Sequence, residues 1–329
     1  MKRRDFITLL GAAAAAWPRT VRAQQSSQVR RVGVLMSSAA GDPDAQLRVA
    51  AFEDGLRDLG WIKGRNLRLE YRWADNADLL RTSATELARM APDLILANST
   101  PAMAALQEQR PTVPIVFTQV TDPIGQGLVS NLGHPGGNLT GFTSFEFSIG
   151  SKWLETLKQV APHVTRVALL FNPATAPFAD LFWRPIETAA RSFAIAPVSV
   201  GARNTDELER AVEAFAREPN GGLMVVPEVS TVNHRGLIVA LAARHRLPAV
   251  YPLRSFAASG GLLSYGVDVA DVFRRAASYV DRILRGTSPG ELPIQPPTKY
   301  ELVINLKTAK DLGLDIPPML LARADEVIE

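Results

Sequence analysis

The feature that most constrains this chain is an alternation: apolar runs of strand length are interleaved with segments of helical period, and the pattern occurs twice. Residues 31–36, 66–73, 93–97 and 114–118 read as strands, separated by helical spacing over 44–59, 77–90 and 101–109. Between 121 and 141 the alternation breaks on turn chemistry: Asp122-Pro123, Gly133, Pro135, Gly136 and Gly137. Residues 148–160 are then helical and a second series begins. Its strands fall at 166–171, 195–200, 222–226, 249–251 and 261–265, and its helices at 178–193, 205–217, 232–245 and 270–284. A proline-rich connector over 290–297 leads to another strand at 300–305, and the tail from 317 reads as a short helix and strand.

Strand–helix–strand repetition implies parallel sheets with right-handed crossovers. The Gly/Pro break and the restart favour two lobes over one continuous slab. The expected class is therefore α/β, with two Rossmann-like lobes, each built on a parallel sheet. Such sheets bind ligands beyond the carboxyl ends of their strands, so two of them face to face define a cleft that closes about hinge segments.

Residues 1–23 read as a targeting leader and not as fold. Lys2, Arg3 and Arg4 form a basic head, an alanine-rich apolar run follows, and Val21-Arg22-Ala23 has small residues where a signal peptidase reads, so cleavage is expected between Ala23 and Gln24. Arg3-Arg4-Asp5-Phe6-Ile7 is similar to the twin-arginine export motif. The leader carries five cations against one carboxylate, a net of +4, which leaves −1 of the formal +3 for the rest of the chain. The basic pI is thus a property of the leader, and nucleic acid is not an expected partner. No later apolar stretch is long enough to span a membrane. There is no cysteine, which excludes disulfides, thiol catalysis and a lipid anchor on cysteine. The expected location is the periplasm, with the mature chain free and monomeric.

The candidate site residues sit just after the strands. In the first half these are Ser37 and Ser38, then Ser99 and Thr100 ahead of Pro101, then Thr121 and Asp122. Pro101 fits a first helical turn and Ser99 or Thr100 its cap. A helix start presents free N–H groups that suit a carboxylate. Plain capping accounts for the same residues, and Asp122 before Pro123 is also a common turn pair. In the second half the matching points are Asn172, Glu228, Tyr251, Tyr265 and Asp268. Glu228 emerges at a strand end, Asp122 and Asp268 suit an ammonium group, although Asp268 is equally placed as a helix cap, and the tyrosines serve either a ligand ring or the core. The four histidines lack metal-ligand spacing, no nucleophile–base motif occurs, and Gly125-Gln126-Gly127 does not continue into a dinucleotide fingerprint. No cofactor, metal or catalysis is expected.

Several segments together resemble the ABC-type substrate-binding proteins of the tryptophan/tyrosine-type family: Ser99-Thr100-Pro101-Ala102, Asp122-Pro123-Ile124-Gly125, Pro135-Gly136-Gly137-Asn138-Leu139-Thr140-Gly141, Leu263-Ser264-Tyr265-Gly266 and Glu301-Leu302-Val303-Ile304-Asn305. The resemblance implies type I periplasmic-binding-protein architecture with three crossings between lobes, and places 28–143 with 266–292 in one lobe and 144–265 with 293–329 in the other. It implies a small-molecule solute and an ABC permease in the inner membrane as partners. Ser99 stands where many relatives have glycine, and Val267 where proline is common. The expected function is periplasmic solute receptor of an ABC importer, binding a small carboxylate, an amino acid or the like. A sensory receptor and, further off, a periplasmic enzyme on the same fold are the alternatives.

Overall fold

A computed structural model describes residues 29–329. The leader expected at 1–23 lies outside the described residues. Two sheets organise the chain. The first has the order β2-β1-β3-β4-β5, built from β1 (Arg30–Met36), β2 (Leu67–Trp73), β3 (Leu94–Asn98), β4 (Ile115–Val120) and β5 (Leu139–Thr143). All its pairings are parallel. The side-chain period of two sorts its residues between faces. Val32, Val34, Met36, Leu94, Leu96 and Val116 belong to one core, and Leu35, Ile95, Ala97 and Phe117 to the other.

Helix α1 (Pro43–Asp58) covers the first face, and α2 (Ala77–Met90) with α3 (Thr100–Glu108) covers the second. Each starts on a side-chain cap: Asp42, Asn76 and Ser99 accept from the N–H groups of Ala45, Leu79 and Ala102. Those bonds satisfy donors that a helix start leaves unpaired.

The second sheet has the order β12-β11-β10-β9-β8-β6-β7. Its strands are β6 (Arg166–Phe171), β7 (Ala196–Gly201), β8 (Gly221–Val225), β9 (Ala249–Tyr251), β10 (Leu263–Val267), β11 (Tyr300–Asn305) and β12 (Glu326–Ile328). The helices between them are α4 (Ile149–Val160), α5 (Ala179–Ser192), α6 (Thr205–Ala216), α7 (Val229–Asn233), α8 (Arg235–Arg244) and α9 (Arg254–Ala258).

The chain passes between lobes three times. Residues 144–148 lead from β5 to α4. After β10 the chain returns to the first lobe as α10 (Val269–Leu284), which lies against α1 so closely that a Cβ added at Gly55 would meet Ala277 Cβ at 2.9 Å. The connector before β11 then crosses back, and the chain ends with α11 (Leu306–Leu312), α12 (Pro318–Leu321) and β12.

Three sequence expectations need correction. The segment from 121 to 141 is not wholly loop, because β5 begins at Leu139 and pairs with β4. The helix expected at 232–245 is two helices meeting at His234. The second sheet is not all parallel: β11 re-enters from the other lobe and runs antiparallel to β10. Near the boundary expected at 292/293, the connector bonds to the first lobe. The Ile294 and Gln295 N–H groups donate to the Leu132 and Gly141 carbonyls, and Thr143 N–H donates back to Gln295. Near the boundary expected at 265/266, Gly266 and Val267 pair with β11.

Candidate functional site

The carboxyl ends of both sheets face one interlobe cavity. The first lobe contributes Ser37 and Ser38 after β1, Asn98, Ser99 and Thr100 after β3, Gln119 and Thr121 at the end of β4, and Arg48 from α1. The second contributes Thr175, Phe178, Pro227, Glu228, Val229, Val232 and Leu253, while Ser144 and Phe145 line it from the first crossing. One wall is thus hydroxyl, amide and guanidinium, and the other is mostly apolar with two phenyl rings. This is the composition of a small-molecule site in which a few polar groups orient an apolar body.

Much of the polar wall is already bonded. Ser37 Oγ donates to the Asn98 carbonyl at 2.8 Å and lies 2.6 Å from Ser99 Oγ. Thr100 Oγ1 accepts the Thr121 N–H at 3.1 Å, tying the ends of β3 and β4 together. Ser38 is the exception: its hydroxyl is buried, with the residue 5% exposed, and has no hydrogen-bond partner among the described residues. Ser99 holds φ 95° and ψ 158°, and Gln119 holds φ 55°. These are conformations that side-chain-bearing residues rarely adopt, and such strain concentrates at binding sites.

Electrostatics divide the cleft. Asp42 forms an ion pair across the lobes with Arg235 at 2.7 Å, and Asp44 lies 3.6 Å from the same guanidinium. Asn233 adds a bond to the Asp75 carbonyl across the same gap. Burial raises the Asp42 pKa, but the Ala45 N–H and Arg235 outweigh it, so the carboxyl sits below its ordinary value. Glu228 runs the other way. Burial pushes its pKa up, although Thr175 Oγ1 and the N–H groups of Ser230 and Thr231 all donate to its oxygens. A second cavity of about 490 Å³ shares Arg48 and Leu253 with the first and is also lined by Asp44, Arg254, Asp268 and Glu301.

Of the residues singled out from sequence, Ser37, Ser38, Ser99, Thr100, Thr121 and Glu228 line the main cavity. Five do not. Asp122 turns back at φ 50° and accepts the Gly125 N–H, closing the turn. Asn172 accepts the Ala174 N–H and donates to the Arg203 carbonyl and Ser230 Oγ. Tyr251 is 1% exposed and stacks on Phe256. Tyr265 stacks on Tyr300 while its carbonyl accepts the Trp153 indole N–H. Asp268 caps α10 and pairs with Lys299 at 2.7 Å, lining only the second cavity. Each of the five has a structural contact of its own outside the main cavity.

Arg48 is the chief residue that strand-end reasoning missed. It stands on the buried stripe of α1 with Ala45, Val49, Phe52 and Leu56. A cation at the i+3 position of an apolar stripe is visible in the sequence, and a buried charge is the informative exception in such a pattern. Phe145 and Phe178 carry no comparable signal, being single aromatics in a crossing and a loop.

Comparison with known proteins decides the family. The sequence profile described as "ABC transporter substrate binding protein" matches residues 33–328. The chain belongs to this family. Among curated relatives, a tyrosine-binding protein of Clostridioides difficile (strain R20291) is 26% identical over 291 residues, covering 88% of this chain and 82% of that one. Among solved structures, a conserved domain protein from Vibrio cholerae is 28% identical with TM-score 0.84, covering 91% of this chain and 100% of that one. An ABC domain of Streptococcus pneumonia in complex with L-Trp is 22% identical with TM-score 0.83, covering 91% and 99%. The architecture is that of the type I periplasmic binding proteins, and members of the ABC substrate-binding family are binding proteins, not enzymes. No helix among the described residues is long and apolar enough to cross a membrane.

Proposed function

We propose that this chain is the periplasmic receptor of an ABC importer, exported by the leader at 1–23, and that it captures a small carboxylate-bearing solute of the amino-acid class in the interlobe cleft. The observation that carries this reading is the Ser38 hydroxyl, buried in the cavity wall without a partner among the described residues. A buried hydroxyl left unpaired costs about 1–3 kcal/mol, and a ligand oxygen relieves that cost. Ser37, Ser99, Thr100 and Thr121 complete the polar wall. Phe145, Phe178, Val229 and Val232 suit an apolar or aromatic side chain. Glu228 is the cavity-lining carboxylate held in no ion pair among the described residues, and an ammonium in the cleft would reverse the upward shift that burial imposes on it.

The curated relative's tyrosine ligand and the bound L-Trp of the solved structure support the same solute class. The Asp42–Arg235 pair joins the two lobes at the cavity rim and supports capture by closure. The test is a thermal-shift screen of amino acids, aryl and alkyl carboxylates, and sugars on the purified chain. A saturating ligand at a hundredfold over its Kd stabilises by about 2.7 kcal/mol, so a true solute stands clear of the baseline. Stabilisation by sugars alone would overturn the proposal.

A further inference from the structure

The Arg48 guanidinium is a buried cation without a matching anion among the described residues. The residue is 8% exposed. Its one hydrogen bond among the described residues is a long one, 3.5 Å to Gln119 Oε1, an acceptor that Asn98 Nδ2 already uses at 2.8 Å. Among the described residues no carboxylate oxygen lies within 4 Å of its nitrogens. Asp42 and Asp44 are near enough to favour its charge but are engaged by Arg235, whose own charge opposes that of Arg48. A guanidinium has five N–H donors and cannot shed its proton at physiological pH. Leaving those donors unmatched in a buried site is costly.

The structure offers two further observations at the same place. Ser38, with its partnerless hydroxyl, lines the same cavity. Arg48 is also contributed by a helix whose other inward residues are apolar, so nothing in the packing of α1 requires a cation there.

We propose that Arg48 is the anchor for the solute's carboxylate, with the Ser38 hydroxyl as a supporting donor, so that the cleft selects anionic solutes over neutral ones of the same shape. This rests on the carboxylate-receptor reading above and adds the residue that enforces it. It also joins recognition to closure. A carboxylate at Arg48 cancels the repulsion between Arg48 and Arg235, and Arg235 is the second-lobe partner in the ion pair that bridges the gap. An uncharged solute leaves that repulsion standing.

The test pairs each acid that stabilises the purified chain with its primary amide, which keeps the shape and removes the charge. Calorimetric titration then compares wild type, Arg48→Lys and Arg48→Met. Wild type should bind the acid at least about 30-fold more tightly than the amide, the factor expected of a charge-assisted contact. Arg48→Met should lose that discrimination while keeping the amide's affinity, and Arg48→Lys should retain part of it. A ligand-free arm separates anchoring from scaffolding. If Arg48 waits for an anion, Arg48→Met without solute should melt higher than wild type, because an apolar isostere replaces an unmatched charge.

Equal affinity of wild type and Arg48→Met for the acid would overturn the proposal and leave the receptor reading intact. So would a solute-free Arg48→Met that melts lower than wild type, since that marks a structural role. If no acid in the screen binds wild type, the receptor reading itself falls, and this proposal with it.

Discussion

Ser99 places two opposing demands on one residue, and they can be separated by mutation. Its side chain caps α3 through the Ala102 N–H and meets Ser37 Oγ, while its backbone holds φ 95°, ψ 158°. That conformation is nearly a glycine preserve and costs about 1–3 kcal/mol in any other residue. Ser99→Ala keeps the strain and removes both bonds. The cap contributes about 1 kcal/mol and the buried hydroxyl contact about 1 kcal/mol net, so the loss is about 2 kcal/mol. Ser99→Gly also loses the hydroxyl contact, but glycine caps nearly as well as serine and the strain disappears. Its net effect is a gain of about 0.5–1 kcal/mol. The gap between the two variants is therefore about 2.5–3 kcal/mol, which at about 2 °C per kcal/mol for a chain of this size is roughly 5 °C in Tm. Differential scanning calorimetry of the solute-free variants reads this directly. Melting of the two within about 1 °C of each other would refute the reasoning, since the backbone at 99 would then not be held in the glycine region.

Arg235→Gln removes the ion pairs to Asp42 and Asp44. Solute affinity should fall several-fold through a faster off-rate, seen by stopped-flow fluorescence, while the melting of each lobe changes little; an unchanged off-rate would remove the ion pair from the closing motion. Ser38→Ala deletes an unpartnered buried hydroxyl. Calorimetry should show a more stable solute-free protein and a weaker solute complex, and a destabilised solute-free protein would mean that the hydroxyl is bonded. Glu301 supplies a pH dependence: burial, then the nearby Asp268 charge, pushes its pKa up to about 7 against the attraction of Arg254 and Lys299. The folded state then holds its proton more tightly than the unfolded chain does. This contribution to stability falls as pH rises from the ordinary carboxyl range to about 7 and levels off above it. Urea titrations across that window should show the slope in wild type and a flatter one in Glu301→Gln; identical slopes would locate the titration elsewhere.

The parallel sheets and the cleft were legible because strand-length runs and helical spacing are local signals. So were Ser37, Ser38, Ser99, Thr100 and Thr121, all at carboxyl ends of first-lobe strands. The second lobe was less transparent. Tyr251 also ends a strand, yet it is turned into packing against Phe256, and which way such a side chain turns depends on register, which a single sequence states weakly. Asn172, Asp122 and Asp268 are residue types that serve turns and caps as readily as ligands, and here the local backbone takes them. Arg48 was missed for a different reason: it lies a full helical turn beyond any strand end, on a face read only as apolar. The antiparallel course of β11 depends on the chain leaving one lobe and returning, which no local pattern encodes.

The return of α10 to the first lobe has a consequence for biogenesis. Its seat beside Gly55 means that a nascent polypeptide stalled at residue 143 would already hold all five strands of the first sheet and still lack one of its helices. That helix lies more than a hundred residues downstream, beyond most of the second sheet. Ribosomal synthesis therefore cannot finish the two halves in turn. The first half closes its helical layer only after most strands of the second have been made.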